Sequence, residues 1–391
     1  MSHKLGIHIR WSDVRPPEGD EFAAWVFWNM APGMGPRHFL YMLQEHGSAL
    51  EFFNMLKAGT ARPTWLPDSA FSWAMRHDDA VAAGREELRK ASAHRAHVVT
   101  LGSEFYPELL VHLPDAPPIL YMAGRKPPQS PVWISMVGSR RASEYGVSVA
   151  WRFAYELARA GAAIVSGLAR GIDAASHRGA IAAGGYTAGV LGCGIGAPMT
   201  VRLSGIVREV MASGCVISTF PIGFPASSGT FPARNRVISG MSAACILVEA
   251  AEVSGALITA TLALHQNRFV YVVPGDITRH TARGPVGLMA EGACPIFSVD
   301  KVISDLTDIG HQLKRPEPYA HGRRPGYRPG QRELSHDDAL VYEAVGDGTS
   351  FEDVQAATGL PAKRVFASLS KLELIGLVVR LEGLRFSRRP G

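Results

Sequence analysis

The fold is decided by residues 132–173, which read VWISMVGSRRASEYGVSVAWRFAYELARAGAAIVSGLARGID. Two short apolar runs, residues 132–137 and 162–165, flank a stretch over residues 143–159 that has the apolar spacing of a helix and stops at Gly161. A strand, a helix and a second strand in this order form the unit from which parallel sheets are built. The stretch therefore predicts a βαβ unit with a glycine-rich turn after each strand.

The same alternation continues beyond this unit. Residues 173–183 have helical spacing, with Asp173 as the predicted N-cap and Gly184 as the stop. Strands that are apolar throughout are typical of a buried parallel sheet, so we predict a doubly wound α/β sheet over roughly residues 130–310. The further predicted strands are residues 186–191, 215–217, 244–248, 269–273 and 294–297.

The region before the sheet has a different pattern. Residues 21–28 and 37–46 are amphipathic and enclose a Gly/Pro turn at Gly33 and Gly35, which indicates a small helical N-terminal domain. The turn is either a helix-hairpin-helix clasp whose amides grip a phosphate or a plain interhelical turn. The plain turn is the favoured interpretation.

The C-terminal region predicts a linker and a third domain. Residues 314–333 are rich in Pro, Gly and Arg, without apolar periodicity, and predict a basic flexible linker. Three helical stretches and a hairpin follow, which is the pattern of a winged helix-turn-helix. The stretches are residues 335–345, 351–358 and 361–374, and the hairpin joins residues 377–381 to 384–387.

The predicted recognition helix and wing carry several polar side chains. Helices in this position either enter the major groove of DNA or bind protein, and the sequence leaves both open. The side chains concerned are Lys363, Arg364, Ser368 and Lys371 in the helix, and Arg380, Arg385, Arg388 and Arg389 near the wing.

Composition agrees with a globular protein that binds a polyanion. The 391 residues are 47% hydrophobic and 19% charged, with a net charge of +5. The N-terminal residues lack a signal-peptide pattern and no apolar run is long enough for a membrane span, so we predict a cytoplasmic protein. Four widely spaced cysteines, without a CxxC pair, are predicted to be buried: Cys193, Cys215, Cys245 and Cys294.

The turns that follow the predicted strands are the candidate binding site. Ligands of open parallel sheets bind beyond the carboxyl ends of the strands, where glycine-rich turns expose amides. Residues 137–141 (VGSRR) and 166–173 (SGLARGID) pair glycines with Arg140 and Arg170, whose guanidiniums fit phosphate oxygens. Residues 191–196 (LGCGIG) form a third such turn. A G-x-G-x-x-G fingerprint and a P-loop are both absent from the sequence, so dinucleotide and ATP sites are poorly supported.

Residues 230–236, TFPARNR, place cations and an amide beside an aromatic ring. Arginine and asparagine side chains bind phosphate or sugar, and Phe231, with Phe220 or Phe224 as further candidates, would stack on an unpaired base. A helix N-terminus with solvated arginines is the structural alternative. Several such turns at one crevice favour an anionic polymer or a nucleotide.

The sequence also offers a candidate residue for catalysis. Glu249, just past residues 244–248, is the carboxylate best placed for acid–base chemistry in a nucleotide-processing enzyme, such as a phosphoribohydrolase. A structural hydrogen bond to the next turn is the favoured role, because the sequence offers no activated nucleophile beside it. Asp173 and His177 are expected to be a helix cap and a satisfied histidine. A ligand-sensing winged-helix transcription regulator is the second alternative.

With these motifs in view, the sequence resembles the DNA-processing protein A (DprA, also called Smf) family over most of its length. The core of the resemblance lies in residues 137–140 (VGSR), 166–173 (SGLARGID), 231–236 (FPARNR) and 254–260 (SGALITA). After Gly196 the chain departs from the family pattern, because residues 197–201 (APMTV) replace a Tyr-Pro segment.

The resemblance implies four segments and a function without catalysis or cofactor. They are a helical SAM-like domain (1–100), an extended Rossmann domain (101–312), the linker (313–333) and a winged-helix domain (334–391). It implies binding and protection of single-stranded DNA, loading of RecA recombinase onto that DNA in natural transformation, a homodimer through the Rossmann domain, and single-strand binding protein as a further partner. The implied DNA-binding residues are Gly138, Ser139, Arg140, Ser166, Gly167, Leu168, Ala169, Arg170, Gly171, Phe231, Arg234, Asn235 and Arg236.

Overall fold

The structure is a computed structural model that describes residues 13–314, 336–374, 377–381 and 385–388. The chain divides into two compact units, residues 1–317 and residues 318–391. Most of the predicted linker, residues 315–333, lies outside the described residues.

Within residues 13–314, one nine-stranded sheet forms the centre of the first unit. Its strands are β1 (Ala96–Thr100), β2 (Ile119–Gly124), β3 (Trp133–Gly138), β4 (Ala163–Ser166), β5 (Thr187–Val190), β6 (Cys215–Ser218), β7 (Ala244–Val248), β8 (Phe269–Val272) and β9 (Cys294–Pro295). The order across the sheet is β1-β2-β6-β5-β4-β3-β7-β8-β9. From β6 to β9 the neighbours are parallel, and the chain winds outward from β3 in both directions, which confirms the doubly wound α/β prediction.

Helices precede the sheet and connect its strands. The first five, which form the helical N-terminal region, are α1 (Gly19–Met30), α2 (Pro36–His46), α3 (Ala49–Lys57), α4 (Asp68–Met75) and α5 (Ala80–Ala93). Those within the sheet region are α6 (Glu108–Val111), α7 (Glu144–Arg159), α8 (Ile172–Ala182), α9 (Val201–Ser213), α10 (Thr230–Gly240), α11 (Gly255–His265), α12 (Arg283–Ala290) and α13 (Asp300–Asp308). The helix predicted over residues 143–159 is α7, whose N-cap Ser143 accepts a hydrogen bond from the Gly146 amide.

Two antiparallel strands extend the sheet beyond the predicted Rossmann core. β1 pairs with β2, and β2 pairs with β6. The sequence prediction missed both strands and assigned residues 96–100 to the N-terminal helical domain. The reason is that β1 is a short edge strand that follows α5 closely, without a turn cluster to separate it. The boundary predicted near residue 100 therefore cuts at an edge strand of the sheet, and a separate N-terminal domain stays a prediction.

The backbone amides in the turn between α1 and α2 donate hydrogen bonds within the turn itself. The Met34 N–H donates to the Ala31 carbonyl, and the Gly35 N–H donates to the Gly33 carbonyl and to Nδ1 of His38. These amides are not directed at an external phosphate. The structure thus agrees with a plain interhelical turn.

The second unit has the predicted winged-helix architecture. Its described helices are α14 (His336–Ala344), α15 (Phe351–Thr358) and α16 (Ala362–Leu374), and its strands are β10 (Thr349–Ser350), β11 (Val378–Leu381) and β12 (Arg385–Arg388). The strands form a small sheet in the order β10-β12-β11. Val341, Val365 and Phe386 belong to its buried core.

Three of the four cysteines are buried. Cys193, Cys215 and Cys245 are buried as predicted, whereas Cys294, in the short edge strand β9, is only half-buried. Among the helices within the described ranges, none combines the length and apolar character needed to span a bilayer.

Candidate nucleic-acid interface

The turns after β3 and β4 lie in direct contact at the carboxyl edge of the sheet. The Ile172 N–H donates to the Ser139 carbonyl at 3.3 Å. Gly171 has a φ of +77°, and a Cβ at this position would lie 2.2 Å from the Ser139 carbonyl oxygen. Because both the positive φ and the close approach exclude a side chain, glycine is what allows these two turns to meet.

The loop after β5 contacts the start of α10. Thr230 Oγ1 donates to the Gly192 carbonyl at 2.6 Å. A Cβ on Gly192 would lie 2.9 Å from the Phe231 ring, so the ring packs directly on this turn. The structure shows TFPARNR as the start of α10, a helix that joins β6 to β7, which agrees with the helix N-terminus given above as the structural alternative, although Arg234 is buried rather than solvated.

The buried side chain of Arg234 connects the turn after β4 to the end of β5. Its Nη1 atom donates to the carbonyls of Gly167 and Val190. A Cβ on Gly167 would lie 1.8 Å from Nη1. Arg234 is therefore a structural element of the site as well as a positive charge in it.

Asp173 is the counter-charge of Arg234, which corrects its predicted role as a helix cap. Helix α8 begins at Ile172 with Gly171 as its N-cap, and Oδ2 of Asp173 accepts from the amides of Gly167 and Ala169, each at 3.2 Å. Burial raises the pKa of Asp173, while the nearby Arg234 guanidinium opposes that rise. Burial lowers the pKa of Arg234, and Asp173 opposes this in turn.

Two guanidiniums gather around the Phe231 ring. The Cζ atom of Arg140 lies 6.0 Å from the ring centroid and that of Arg234 lies 5.7 Å from it, both within cation–π range. The two cations are close enough for Arg140 to contribute to the lowered pKa of Arg234. With Asp173 as the buried carboxylate beside them, the cluster carries an excess positive charge.

Arg234 also has unused hydrogen-bonding capacity. Within the described part of the chain, its buried Nε atom has no hydrogen-bond partner. A buried donor without a partner costs about 1–3 kcal/mol, more when it is charged. The excess positive charge beside Phe231 would attract an anion.

Several other predicted site residues stabilise the turns through contacts inside the protein. Ser139 Oγ accepts from the Arg141 amide at 3.1 Å, and buried Ser166 Oγ donates to the Met136 carbonyl at 2.6 Å. Leu168 is buried despite a φ of +61° and packs against Gly189. Gly138 ends β3, Ala169 lies in the turn after β4, and Arg170 is exposed beside Gly171.

Two predicted residues point away from the cluster. Arg236 forms an ion pair with Asp115, in the loop between α6 and β2. Asn235 Nδ2 donates to the Gly255 carbonyl at 3.3 Å, toward the start of α11. Residues one and two positions after Arg234 on a helix face other directions, so α10 does not present all three side chains to one ligand.

Glu249 has a structural role in the described fold. Its carboxylate accepts from the Ser143 amide at 2.8 Å and from the Ser143 hydroxyl, and its carbonyl accepts from the Ser139 amide at 2.7 Å. It thereby fixes the start of α7 and the turn after β3. These contacts agree with the favoured interpretation of Glu249 and give no support to a catalytic one.

His177 lies in the core, where its role is likewise structural. Nδ1 is 2.7 Å from Thr187 Oγ1, and burial lowers the pKa of His177 to about 3, which keeps the ring neutral. The predicted satisfied histidine is only half satisfied, because buried Nε2 has no partner among the described residues. In the same part of the chain, no group of three His, Cys, Asp or Glu side chains is arranged to hold a metal ion.

Several cations of the predicted DNA-reading surface are engaged within the winged unit. Arg364 forms an ion pair with Asp337, Arg385 donates to the Gly348 carbonyl, and Arg388 donates to the Tyr342 and Glu343 carbonyls. Ser368 is buried, so its hydroxyl is not offered to a groove. The side chains of Lys371 and Arg380, and the whole of Arg389, lie outside the described residues.

Comparisons with known proteins agree with this architecture. The family model described as DNA recombination-mediator protein A matches residues 97–307, and the DprA winged helix domain model matches residues 325–383. Protein Smf of Synechocystis sp. is 30% identical over 94% of this chain and 99% of its own length, and protein Smf of Escherichia coli is 34% identical over 73% of this chain and 76% of its own. The X-ray structure of DNA processing protein A from Streptococcus pneumoniae, 25% identical, superposes with a TM-score of 0.63 over 75% of this chain and 99% of that one.

These matches span both compact units, and the first of them describes a mediator of DNA recombination. The chain belongs to the DprA/Smf family of DNA recombination mediators.

Proposed function

We propose that the protein binds single-stranded DNA at the carboxyl edge of its sheet, with Arg140 and Arg234 facing the phosphates. The observation that carries the proposal is the pair of guanidiniums around Phe231, beside the buried Asp173 carboxylate, with the Nε donor of Arg234 unpartnered among the described residues. Arg170, exposed in the adjoining turn, adds a third cation along the path of the strand.

An unpaired strand suits this surface better than a duplex or a free nucleotide. A duplex keeps its bases inside, where an aromatic ring at a turn does not reach them, whereas a single strand can offer both phosphates and base faces. The turns also lack the glycine spacing of a dinucleotide site. Backbone phosphates and base faces are common to all sequences, so the proposed binding is sequence-tolerant.

The proposal extends to a partner, because the family model that the chain matches is one of recombination mediators. In it the protein acts in the cytoplasm during DNA uptake, protects the incoming strand and transfers it to RecA in exchange with single-strand binding protein. The winged unit would then contact protein rather than a DNA groove. The internal pairing of Arg364 and Arg388 supports that role.

A homodimer through the Rossmann region is part of the proposal. Val253, Ile277 and Phe297 follow the neighbouring strands β7, β8 and β9, and these residues are 95%, 80% and 81% exposed. Large apolar side chains exposed beyond adjacent strands favour a protein contact. Light scattering of the purified chain measures the dimer directly, and a monomer at all accessible concentrations would contradict this part.

The test of strand binding is a fluorescence-anisotropy titration of labelled oligo-dT with the full chain at two salt concentrations, with unlabelled duplex as competitor. We expect affinity that falls as salt rises, with a slope of about −0.7 per phosphate contact in a plot of log K against log salt. Duplex should compete poorly. Salt-independent binding, or preference for duplex, would overturn the proposal.

RecA transfer requires a separate assay. Oligo-dT coated with single-strand binding protein is mixed with RecA and ATP, and filament formation is followed with and without this protein. The proposal predicts faster filament formation when the protein is present. Equal rates, with strand binding intact, would confine the function to binding and protection.

A further inference from the structure

An exposed aromatic pair lies beside the candidate interface. Phe220 and Phe224, in the loop between β6 and α10, have parallel rings whose centroids are 5.4 Å apart at an interplanar angle of 15°. Phe220 is partly buried, whereas 42% of Phe224 is exposed. One face of the Phe224 ring thus stacks on Phe220, and part of the residue is open to solvent.

The loop that carries this pair is fixed to the third glycine-rich turn. The Gly194 N–H donates to the Phe224 carbonyl, and the Gly223 N–H donates to the Ile195 carbonyl, each at 2.8 Å. A Cβ on Gly194 would lie 1.8 Å from the Pro221 carbonyl oxygen. The aromatic pair is therefore positioned by backbone contacts rather than by a free loop.

The same turn also supports Phe231, which places both aromatic groups on one short segment. Phe231 packs on Gly192, two residues before Gly194. Two residues of extended chain span at most about 7 Å. A strand whose phosphates lie at Arg140 and Arg234 would need only a few more nucleotides to reach Phe224.

We propose that Phe224 is a base-stacking platform for the single strand held at Arg140 and Arg234. The inference rests on the proposed function and adds a subsite to it. The Phe231 ring is already contacted by two guanidiniums and by Gly192, whereas Phe224 has a supported ring with an open side. Stacking on the Phe224 ring suits any base, because every base has a π face.

The surroundings of Phe224 favour a base over a protein partner. The residues that follow it, 225–229 with the sequence PASSG, are small and exposed. A protein contact requires a contiguous apolar patch, which one exposed ring followed by small residues does not provide. An unpaired base needs only one ring face of its own size.

The test compares four single variants on the full chain. Phe224→Ala removes the ring, Phe224→Leu keeps apolar bulk without a π face, and Phe224→Trp keeps the π face. Phe269→Ala is the matched control, because Phe269 is also a partly exposed ring, 37% exposed, that stacks on a second ring. Its centroid lies 6.2 Å from that of Tyr271 at an interplanar angle of 14°. Phe269 begins β8 and therefore lies at the amino ends of the parallel strands, away from the candidate interface. Each variant is titrated with oligo-dT of roughly 4 to 16 nucleotides.

We expect Phe224→Ala and Phe224→Leu to weaken binding about tenfold on the longer oligonucleotides, with little change on the shortest. Phe224→Trp and Phe269→Ala should match the wild type. Since stacking releases no counterions, the salt slope of Phe224→Ala should equal that of the wild type, whereas Arg140→Ala should lower it.

Three outcomes would overturn the inference. They are unchanged affinity of Phe224→Ala on every length, a loss that is equal at all lengths, and full affinity of Phe224→Leu. If Arg140→Ala still weakens binding in those cases, the proposed function stands and only the subsite fails. Absence of any binding by the wild type would overturn both.

Discussion

Replacing Gly171 by alanine tests whether the contact between the first two turns determines the site. Gly171 has φ +77° and ψ −124°, a conformation that side chains disfavour, and its Cβ would lie 2.2 Å from the Ser139 carbonyl oxygen and 3.1 Å from the Arg140 carbonyl carbon. The obstructing atoms belong to the backbone, so they cannot move aside as a flexible side chain would. Alanine therefore has to separate the turn after β4 from the turn after β3.

The expected cost has two parts. The backbone conformation contributes about 1–3 kcal/mol, and the overlap with the neighbouring turn contributes about 1–3 kcal/mol more. Gly184→Ala is the matched control, because Gly184 has φ +70° but no atom within 4 Å of its Cβ position. The control should lose only the conformational part, about 1 kcal/mol.

Urea unfolding followed by circular dichroism measures both variants. We expect Gly171→Ala to lose about 2–6 kcal/mol of unfolding free energy, clearly more than Gly184→Ala, and to bind oligo-dT more weakly where it remains folded, because Arg140 is displaced with its turn. Equal losses in the two variants would refute the claim that the turns are in obligatory contact.

Three further predictions concern residues with contrasting roles. Glu249→Ala should lower the unfolding free energy by about 1–3 kcal/mol, because Ser143 loses the acceptor of two hydrogen bonds; release of base from nucleoside monophosphates by the wild type would instead revive the enzyme hypothesis. His177, with its pKa lowered from 6.5 to about 3, stays neutral in the fold while the unfolded chain takes up a proton, so stability should fall by up to about 1.4 kcal/mol per pH unit below pH 6.5. Urea titrations at several pH values should show a shallower fall for His177→Asn, and identical slopes would contradict the assignment. Arg236→Ala should weaken the binding of single-stranded DNA less than Arg140→Ala does in the anisotropy titration, because Arg236 is already in an ion pair with Asp115. An equal loss of affinity would show that Arg236 belongs to the binding site.

The parallel sheet was predictable because its strands are buried on both faces and appear as continuous apolar runs. The predicted strand over residues 244–248 coincides with β7, and the ends of β3 to β6 lie within one residue of the prediction. β1 was missed because an edge strand needs little apolar patterning. Its place in the sheet depends on pairing with β2, a contact between residues about twenty positions apart that local patterning does not show.

The candidate site was predictable as a set of turns but not as a set of side-chain directions. Glycines next to arginines after predicted strands identified the Arg140 turn and the Gly171 turn. Asp173 was taken for a helix cap, whereas the N-cap is Gly171, two residues earlier, and the Asp173 carboxylate instead accepts from the Gly167 and Ala169 amides beside Arg234. Arg236 points away from Arg234 because the two residues lie two positions apart on a helix. This direction could not be predicted until TFPARNR was known to begin α10.

The most direct test of the strand-binding site compares Arg140→Ala with Arg141→Ala in anisotropy titrations of oligo-dT at low and moderate salt. Arg141 is the adjacent exposed arginine, and its amide, rather than its guanidinium, has a described contact in the turn. A charge-assisted contact to phosphate is worth roughly 1–3 kcal/mol, so Arg140→Ala should weaken binding about tenfold or more and reduce the salt slope, while Arg141→Ala changes little. A folded Arg140→Ala variant that binds as tightly as the wild type would contradict the account.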